Sequence, residues 1–210
     1  SYFAETDKLV DLLATLRPRH VHVYASTWSA NVAMGAADLL AVPWSISSYV
    51  DFEFPYSFQM LRAKLDRARF FRVVTDYCRR QLLALPGIGP AFAPRVPVVY
   101  LGLDLAAWQQ RAPLPGHGVL VSAARLVPKK GLHLVPPALA LLRARGQRCR
   151  WRVIGDGPEL VALQQACAEH GVTDLVDWLG PRDNTVVKQE LLAADLAVLP
   201  CVVAADGERD

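Results

Sequence analysis

Short apolar runs alternate with helix-like stretches along nearly the whole chain, and this alternation constrains the fold more than any other feature. "HVHVYA" (20–25), "WSISSYV" (44–50), "FFRVVT" (70–75) and "VPVVYL" (96–101) read as strands. Between them lie a helical pattern over 3–16, an Ala-rich helix capped by Thr27 and running to about Leu40, an amphipathic segment with Leu61, Leu65 and Ala68 on one face, and "DYCRRQLLAL", which stops at Pro86-Gly87. Residues 103–117, with Pro113, Pro115 and Gly116, lose the pattern. It resumes with "GVLVSA" (118–123), a helix from Pro136 to Arg145, "CRWRVIG" (149–155), the helix "PELVALQQACAEHG", "LVDWLG" (175–180), a helix capped by Asn184, and "DLAVLP" (195–200). Strands that each feed a helix predict parallel sheets with crossover helices. The expected organisation is α/β, with one layer over 1–110, a linker over 111–117 and a second layer over 118–210.

The 210 residues are 52% hydrophobic and 20% charged, enough to bury a core. A net charge of +3 is too mild to point to nucleic acid and suits a basic cleft for a small anion equally well. No apolar stretch approaches the roughly 18 residues of a membrane span. Cys78, Cys149, Cys167 and Cys201 are scattered without metal-type pairing, so they read as reduced thiols of a cytosolic protein.

In open parallel sheets, ligands sit beyond the carboxyl ends of the strands. Two stretches fall there. In "AARLVPKKG" (123–131) the strand breaks into Arg125, Lys129 and Lys130 and stops at Gly131. Such cations either hold an anion, Arg with a planar fork and Lys with a point charge, or form a solvated turn. In "VIGDGPEL" (153–160) a strand ends in Gly155-Asp156-Gly157 and Pro158 opens a helix. Free amides at that helix start favour an anion, and the glycines allow close approach to the backbone. A tight strand-to-helix turn explains the same residues. Leu160 occupies the third glycine position, so the stretch is not a dinucleotide fingerprint.

Taken in order, "GVLVSAARLVPKKGLHLV", "WRVIGDGPELVALQQACAEHGV" and "LVDWLGPRDNTVVKQELLAADLAVLPC" resemble the C-terminal domain of family 4 glycosyltransferases. "HVHVYAS", "VPWSIS", "VVTDYCRRQL" and "VVYLGLDLAAW" resemble the same family's acceptor domain and the segment that joins the two. The resemblance implies a GT-B fold of two Rossmann-like domains, both incomplete in this sequence. It implies sugar transfer from a nucleotide-sugar donor with retention, to a glycan, lipid carrier or small-molecule acceptor, without metal or cofactor. The family's diphosphate-binding cations fall on Arg125 and Lys130, with Lys129 as their exposed neighbour. Gly155, Asp156 and Gly157 fall on the donor side. The first of the family's two spaced acids falls on Asp210, with Glu208 the other acid in reach, and the second lies past residue 210. The sequence is therefore expected to be a piece cut at both ends and inactive alone.

On the acceptor side, Tyr49 stands where many members carry a histidine, and His22 matches a frequent one. Asp51 follows the same strand as Tyr49. The acids of "DFEF" (51–54), flanked by phenylalanines, do not make a metal site. Residues 52–72 mix aromatics with cations. They read first as a helix with a solvated basic face and second as a peripheral contact with a membrane that bears a lipid-linked acceptor. The expected location is cytoplasmic, at most at the inner membrane face. The rival readings are a GT-B-like epimerase or phosphorylase and a non-catalytic nucleotide-binding module.

Overall fold

A computed structural model describes residues 2–49, 54, 58–104, 106, 108, 116 and 118–208. The chain divides into two compact units, Ser1–Asp104 and Leu105–Asp210.

In the first unit, α1 (Tyr2–Leu16) leads to β1 (Val21–Tyr24), α2 (Trp28–Leu39), β2 (Trp44–Ser48), α3 (Phe58–Arg67), β3 (Phe71–Val73) and α4 (Asp76–Ala84). The strands pair in parallel in the order β1-β2-β3. Side chains alternate across a strand, so Val23, Ile46, Phe71 and Val73 share one face and build the core with Ala33, Leu61, Leu65 and Leu82. Complete burial of Ile46 or Phe71 stabilises the unit by about 1.5–3 kcal/mol each. Helices α1 and α2 approach closely because Gly35 has no side chain: a Cβ there would lie 3.1 Å from Thr6 Cγ2.

The first unit departs from the sequence reading at three places. Thr27 stands at the start of α2 but its side chain makes no capping bond, whereas Thr75 caps α4 by accepting from the Cys78 amide at 3.1 Å. "VPVVYL" forms no strand; only Val98 bridges to Val73, and Val99, Tyr100 and Leu101 are exposed. Pro97 brings no amide to a ladder, and it contributes only its carbonyl, to the Val73 amide. Lys64 does not lie on a solvated face. Its ammonium is buried and donates to the carbonyls of Ser26 and Thr27, the latter at 3.2 Å. It thereby anchors the loop that leaves β1, where Ala25 holds a φ of 73°, a left-handed conformation costly for a residue with a Cβ.

The second unit runs β4 (Val119–Ala123), α5 (Val135–Ala144), β5 (Arg150–Ile154), α6 (Leu160–Glu169), β6 (Val176–Gly180), α7 (Asn184–Ala193) and β7 (Leu196–Ala197). Its parallel sheet has the order β6-β5-β4-β7. The chain winds outward from β4 to β6, then crosses back to place β7 on the other side of β4. That reversal is a topological switch point, where ligands of such sheets bind. Trp151 is fully buried in β5. Its Nε1 donates to Ser122 Oγ at 2.9 Å, and that hydroxyl donates to the Val198 carbonyl at 2.6 Å, so one relay ties β5 and β4 to the chain leaving β7. Leu126, Leu132, Leu139, Val153 and Leu163 complete the core below it.

Between β4 and α5 the chain makes two short 3-10 turns, Pro128–Lys130 and Leu132–Leu134. Pro136 and Pro137 then sit in the first turn of α5, where no amide partner is lost. Helix α6 starts at Leu160, two residues beyond Pro158. The cap of α7 is Asp183, not Asn184: its carboxylate accepts from the amides of Thr185 and Val186 at 2.8 and 3.0 Å. The full charge next to the positive helix start makes Asp the better cap here.

Candidate active site

The loops that leave β4, β5 and β6 are laced together. The Leu126 amide donates to the Asp156 carbonyl at 2.9 Å, the Glu159 amide to the Leu126 carbonyl at 3.1 Å, and the Gly155 amide to the Gly180 carbonyl at 3.0 Å. Such proximity requires glycine. A Cβ on Gly155, whose φ is +133°, would lie 1.9 Å from the Ala124 carbonyl oxygen, and one on Gly157 would lie 2.4 Å from that of Leu126.

Above these loops opens a cleft of about 470 Å³ lined by Arg125, Gly155, Asp156, Arg182 and Asn184 among others. A second cleft of about 260 Å³ shares Gly155 and Asp156 and reaches Trp178 and Gln164. Arg125, Gly155 and Asp156, singled out in the sequence, thus meet at one mouth. Arg182 was not singled out, and Asn184 only as a helix cap. Their signal was the one that located Arg125, a polar run directly after an apolar strand, here "LVDWLG".

Of the turn's own amides, those of Gly155 and Gly157 are already engaged. Asp156 Oδ1 accepts from the Gly157 amide at 2.7 Å, and the Glu159 and Leu160 amides donate to the carbonyls of Leu126 and Gly157. Gly155 and Asp156 of this turn line the cleft.

Of the two adjacent lysines, Lys129 is the buried one, at 5% exposure, and it pairs with Glu208 Oε1 at 2.9 Å. The expected exposed neighbour is therefore an interior ion-pair partner. Lys130 is half-buried on the same turn. Asp210 lies outside the described residues. Among the described residues no group of three or more His, Cys, Asp or Glu could hold a metal ion, and no helix is long and apolar enough to cross a membrane.

In the first unit, His22 and Tyr49 belong to a shared sheet face. Tyr49 follows β2 directly, stacks on Tyr24 with centroids 6.0 Å apart, and lies under the Arg72 guanidinium at 5.6 Å. The His22 ring meets Tyr24 edge-on at 5.2 Å. Both nitrogens of His22 are engaged: Nδ1 with Ser45 Oγ at 2.7 Å and Nε2 with Ser47 Oγ at 2.9 Å, while His20 Nε2 shares the Ser45 hydroxyl at 2.7 Å. Asp51 lies outside the described residues.

Burial first, then the charges of His20 and Arg72, hold the His22 imidazole below its ordinary value of 6.5. The unfolded chain then takes up a proton that the folded ring resists. The contribution to stability is complete above about pH 6.5 and is lost as the pH falls through the folded value. Raising the pH from about 5.5 to about 7.5 is therefore expected to raise Tm more in the intact natural protein than in His22→Asn. Equal Tm changes in thermal melts of both would refute this.

Residues 107–207 match the family described as Glycosyl transferases group 1. The putative colanic acid biosynthesis glycosyltransferase WcaL of Salmonella typhimurium is 30% identical over 118 residues, 55% of this chain and 29% of that protein. The 2-deoxystreptamine glucosyltransferase of Streptomyces kanamyceticus is 25% identical over 204 residues, 87% of this chain and 53% of that protein. The chain thus spans about half of these relatives' length or less. Among solved structures, the lipopolysaccharide outer core galactosyltransferase WaaB in its apo form superposes with a TM-score of 0.72 at 19% identity, covering 95% of this chain and 55% of that one. The second unit therefore resembles the glycosyl transferases group 1, and the chain has the α/β fold of the GT-B glycosyltransferases.

Proposed function

We propose that the chain is part of a retaining glycosyltransferase that moves a sugar from a nucleotide-sugar donor to a glycan, lipid carrier or small-molecule acceptor. The observation that carries this reading is Arg125, at the mouth of the cleft beyond β4 and β5, on the loop that also leads to Lys130. As the glycosidic bond of the donor breaks, negative charge grows on the departing diphosphate. Fixed cations aimed at that charge lower the barrier, and one such donor group is worth about 3–4 kcal/mol. In this reading Arg125 and Lys130 meet the diphosphate, and Gly155 and Gly157 bring the β5 loop close enough to flank it. Asp156 and Asp210 face the donor's hydroxyl groups, and His22, Tyr49 and Asp51 stand on the acceptor side. The relatives' names, a colanic acid biosynthesis enzyme and a 2-deoxystreptamine glucosyltransferase, favour a carbohydrate or small-molecule acceptor. The place of action is cytoplasmic; where the acceptor is lipid-linked, it is met at the inner membrane face.

Two protein cations can take over the charge that a divalent ion neutralises elsewhere. Transfer is therefore expected to persist in excess EDTA after dialysis; a loss restored by Mg²⁺ or Mn²⁺ would overturn metal independence. The direct test of the reading is a thermal-shift screen of the intact protein against UDP-, GDP- and ADP-sugars, followed by a transfer assay with the donor that raises Tm most. Absence of both a shift and transfer with every donor would sink it.

A further inference from the structure

Lys129 has no contact with the donor in the mechanism proposed for Arg125 and Lys130, yet it is a buried charge. Removing an ammonium from water is costly unless a carboxylate compensates. Glu208, 79 residues along the chain, does so at 2.9 Å. The two residues belong to the segments that leave β4 and β7, the strands flanking the switch point.

Among the described residues, further ties join these segments. Beside the ion pair, the Val202 amide donates to the Lys129 carbonyl at 2.9 Å. Gly131, with φ +64°, lies so near the Pro200 carbonyl that a Cβ would fall 2.0 Å from its oxygen. Glu208 is itself held in place. Its amide donates to Asp206 Oδ1 at 2.9 Å, and its carbonyl accepts from the Ala204 amide at 2.8 Å. A closed loop therefore presents its carboxylate to the interior of the lysine turn.

We infer that the Lys129–Glu208 ion pair is a positioning device for Lys130, fixing the backbone of the 128–131 turn against the chain leaving β7. The inference rests on the proposed role of Lys130 in meeting the donor diphosphate. Glu208 then acts through Lys129 on its neighbour and touches no substrate. A cation displaced by a fraction of its reach loses much of its effect on a developing charge, since misplacement by about 1 Å can cost on the order of 10² in rate.

The test is a double-mutant cycle in the intact enzyme. Glu208→Gln alone is expected to lower kcat by about tenfold or more with a smaller change in donor KM. In a Lys130→Ala background the same change is expected to cost nothing further, because residues acting as one unit are not additive. Glu208→Asp, which keeps the charge, is expected to recover part of the rate; it also supplies the cycle if Glu208→Gln does not fold. Equal losses in both backgrounds, or an unchanged kcat, would refute positioning while leaving the glycosyltransferase reading intact. A natural enzyme that transfers from no nucleotide sugar would overturn that reading, and the role of the ion pair with it.

Discussion

Arg125→Ala in the intact enzyme is expected to lower kcat by roughly 10²–10³ while the protein stays folded. The size follows from the charge that the guanidinium meets. A diphosphate leaving group accumulates its charge in the transition state, so an interaction with it counts more there than with the bound donor. The persistence of the fold follows from position. Arg125 is exposed at the mouth of the cleft, and substitutions at such surface positions usually change stability by less than about 0.5 kcal/mol. Arg125→Lys keeps the charge and loses the fork, and is expected to fall between the two. The measurement is steady-state transfer alongside thermal melting. Natural kcat in a folded Arg125→Ala would remove Arg125 from the mechanism; loss of activity together with loss of fold would make its role structural.

Lys129 would have been an inert control had it been exposed. Because its ammonium is interior and paired with Glu208, Lys129→Ala leaves Glu208 without that partner and a void on the turn that carries Lys130. Its effect enters through stability and position rather than through contact with the donor. The exposed Arg182, at the same mouth as Arg125, shows that proximity to the cleft and adjacency in sequence are different things.

The α/β architecture was legible because parallel strands are covered on both faces and read as short apolar runs. Val121, Val153 and Ile154, all buried, carry that signal plainly. The family resemblance and the strand-end rule both pointed to Arg125 and to the Gly-Asp-Gly turn, and Arg125, Gly155 and Asp156 line one cleft. What escaped were facts set by distant partners. Nothing in "PKK" says which lysine turns inward; the carboxylate that decides it lies 79 residues away. Nothing around Lys64 announces that the carbonyls of Ser26 and Thr27 will receive its ammonium. The strand expected around Val98 was misread because apolar, β-branched residues suit a strand even where Pro97 brings no amide and the pairing shrinks to one bridge, Val98 to Val73. The cap of α7 was off by one because Asp183 and Asn184 are both good capping residues, and only the backbone geometry chooses.

Replacing Gly155 by alanine is expected to destabilise the second unit by about 3 kcal/mol or more, lowering Tm by about 10 °C, and to abolish donor binding. Two costs combine. At φ +133° any residue with a Cβ is strained. The new methyl would also overlap the Ala124 carbonyl oxygen, 1.9 Å away. That oxygen is backbone at the end of β4, and no side-chain rotation can move it aside. The neighbouring Ala124 amide is meanwhile committed to the Ile154 carbonyl at 3.0 Å. Relief therefore requires the β4 and β5 loops to part, which pulls Arg125 away from Asp156. Gly146→Ala separates the two costs. Gly146 also has a positive φ, +74°, but a Cβ there would meet nothing within 4 Å. It is expected to lose only the strain, about 1–2 kcal/mol, and to keep donor binding. Thermal melts and nucleotide-sugar titrations of both variants in the intact protein decide the matter. If Gly155→Ala binds donor as tightly as Gly146→Ala, the close contact between the two loops does not shape the site.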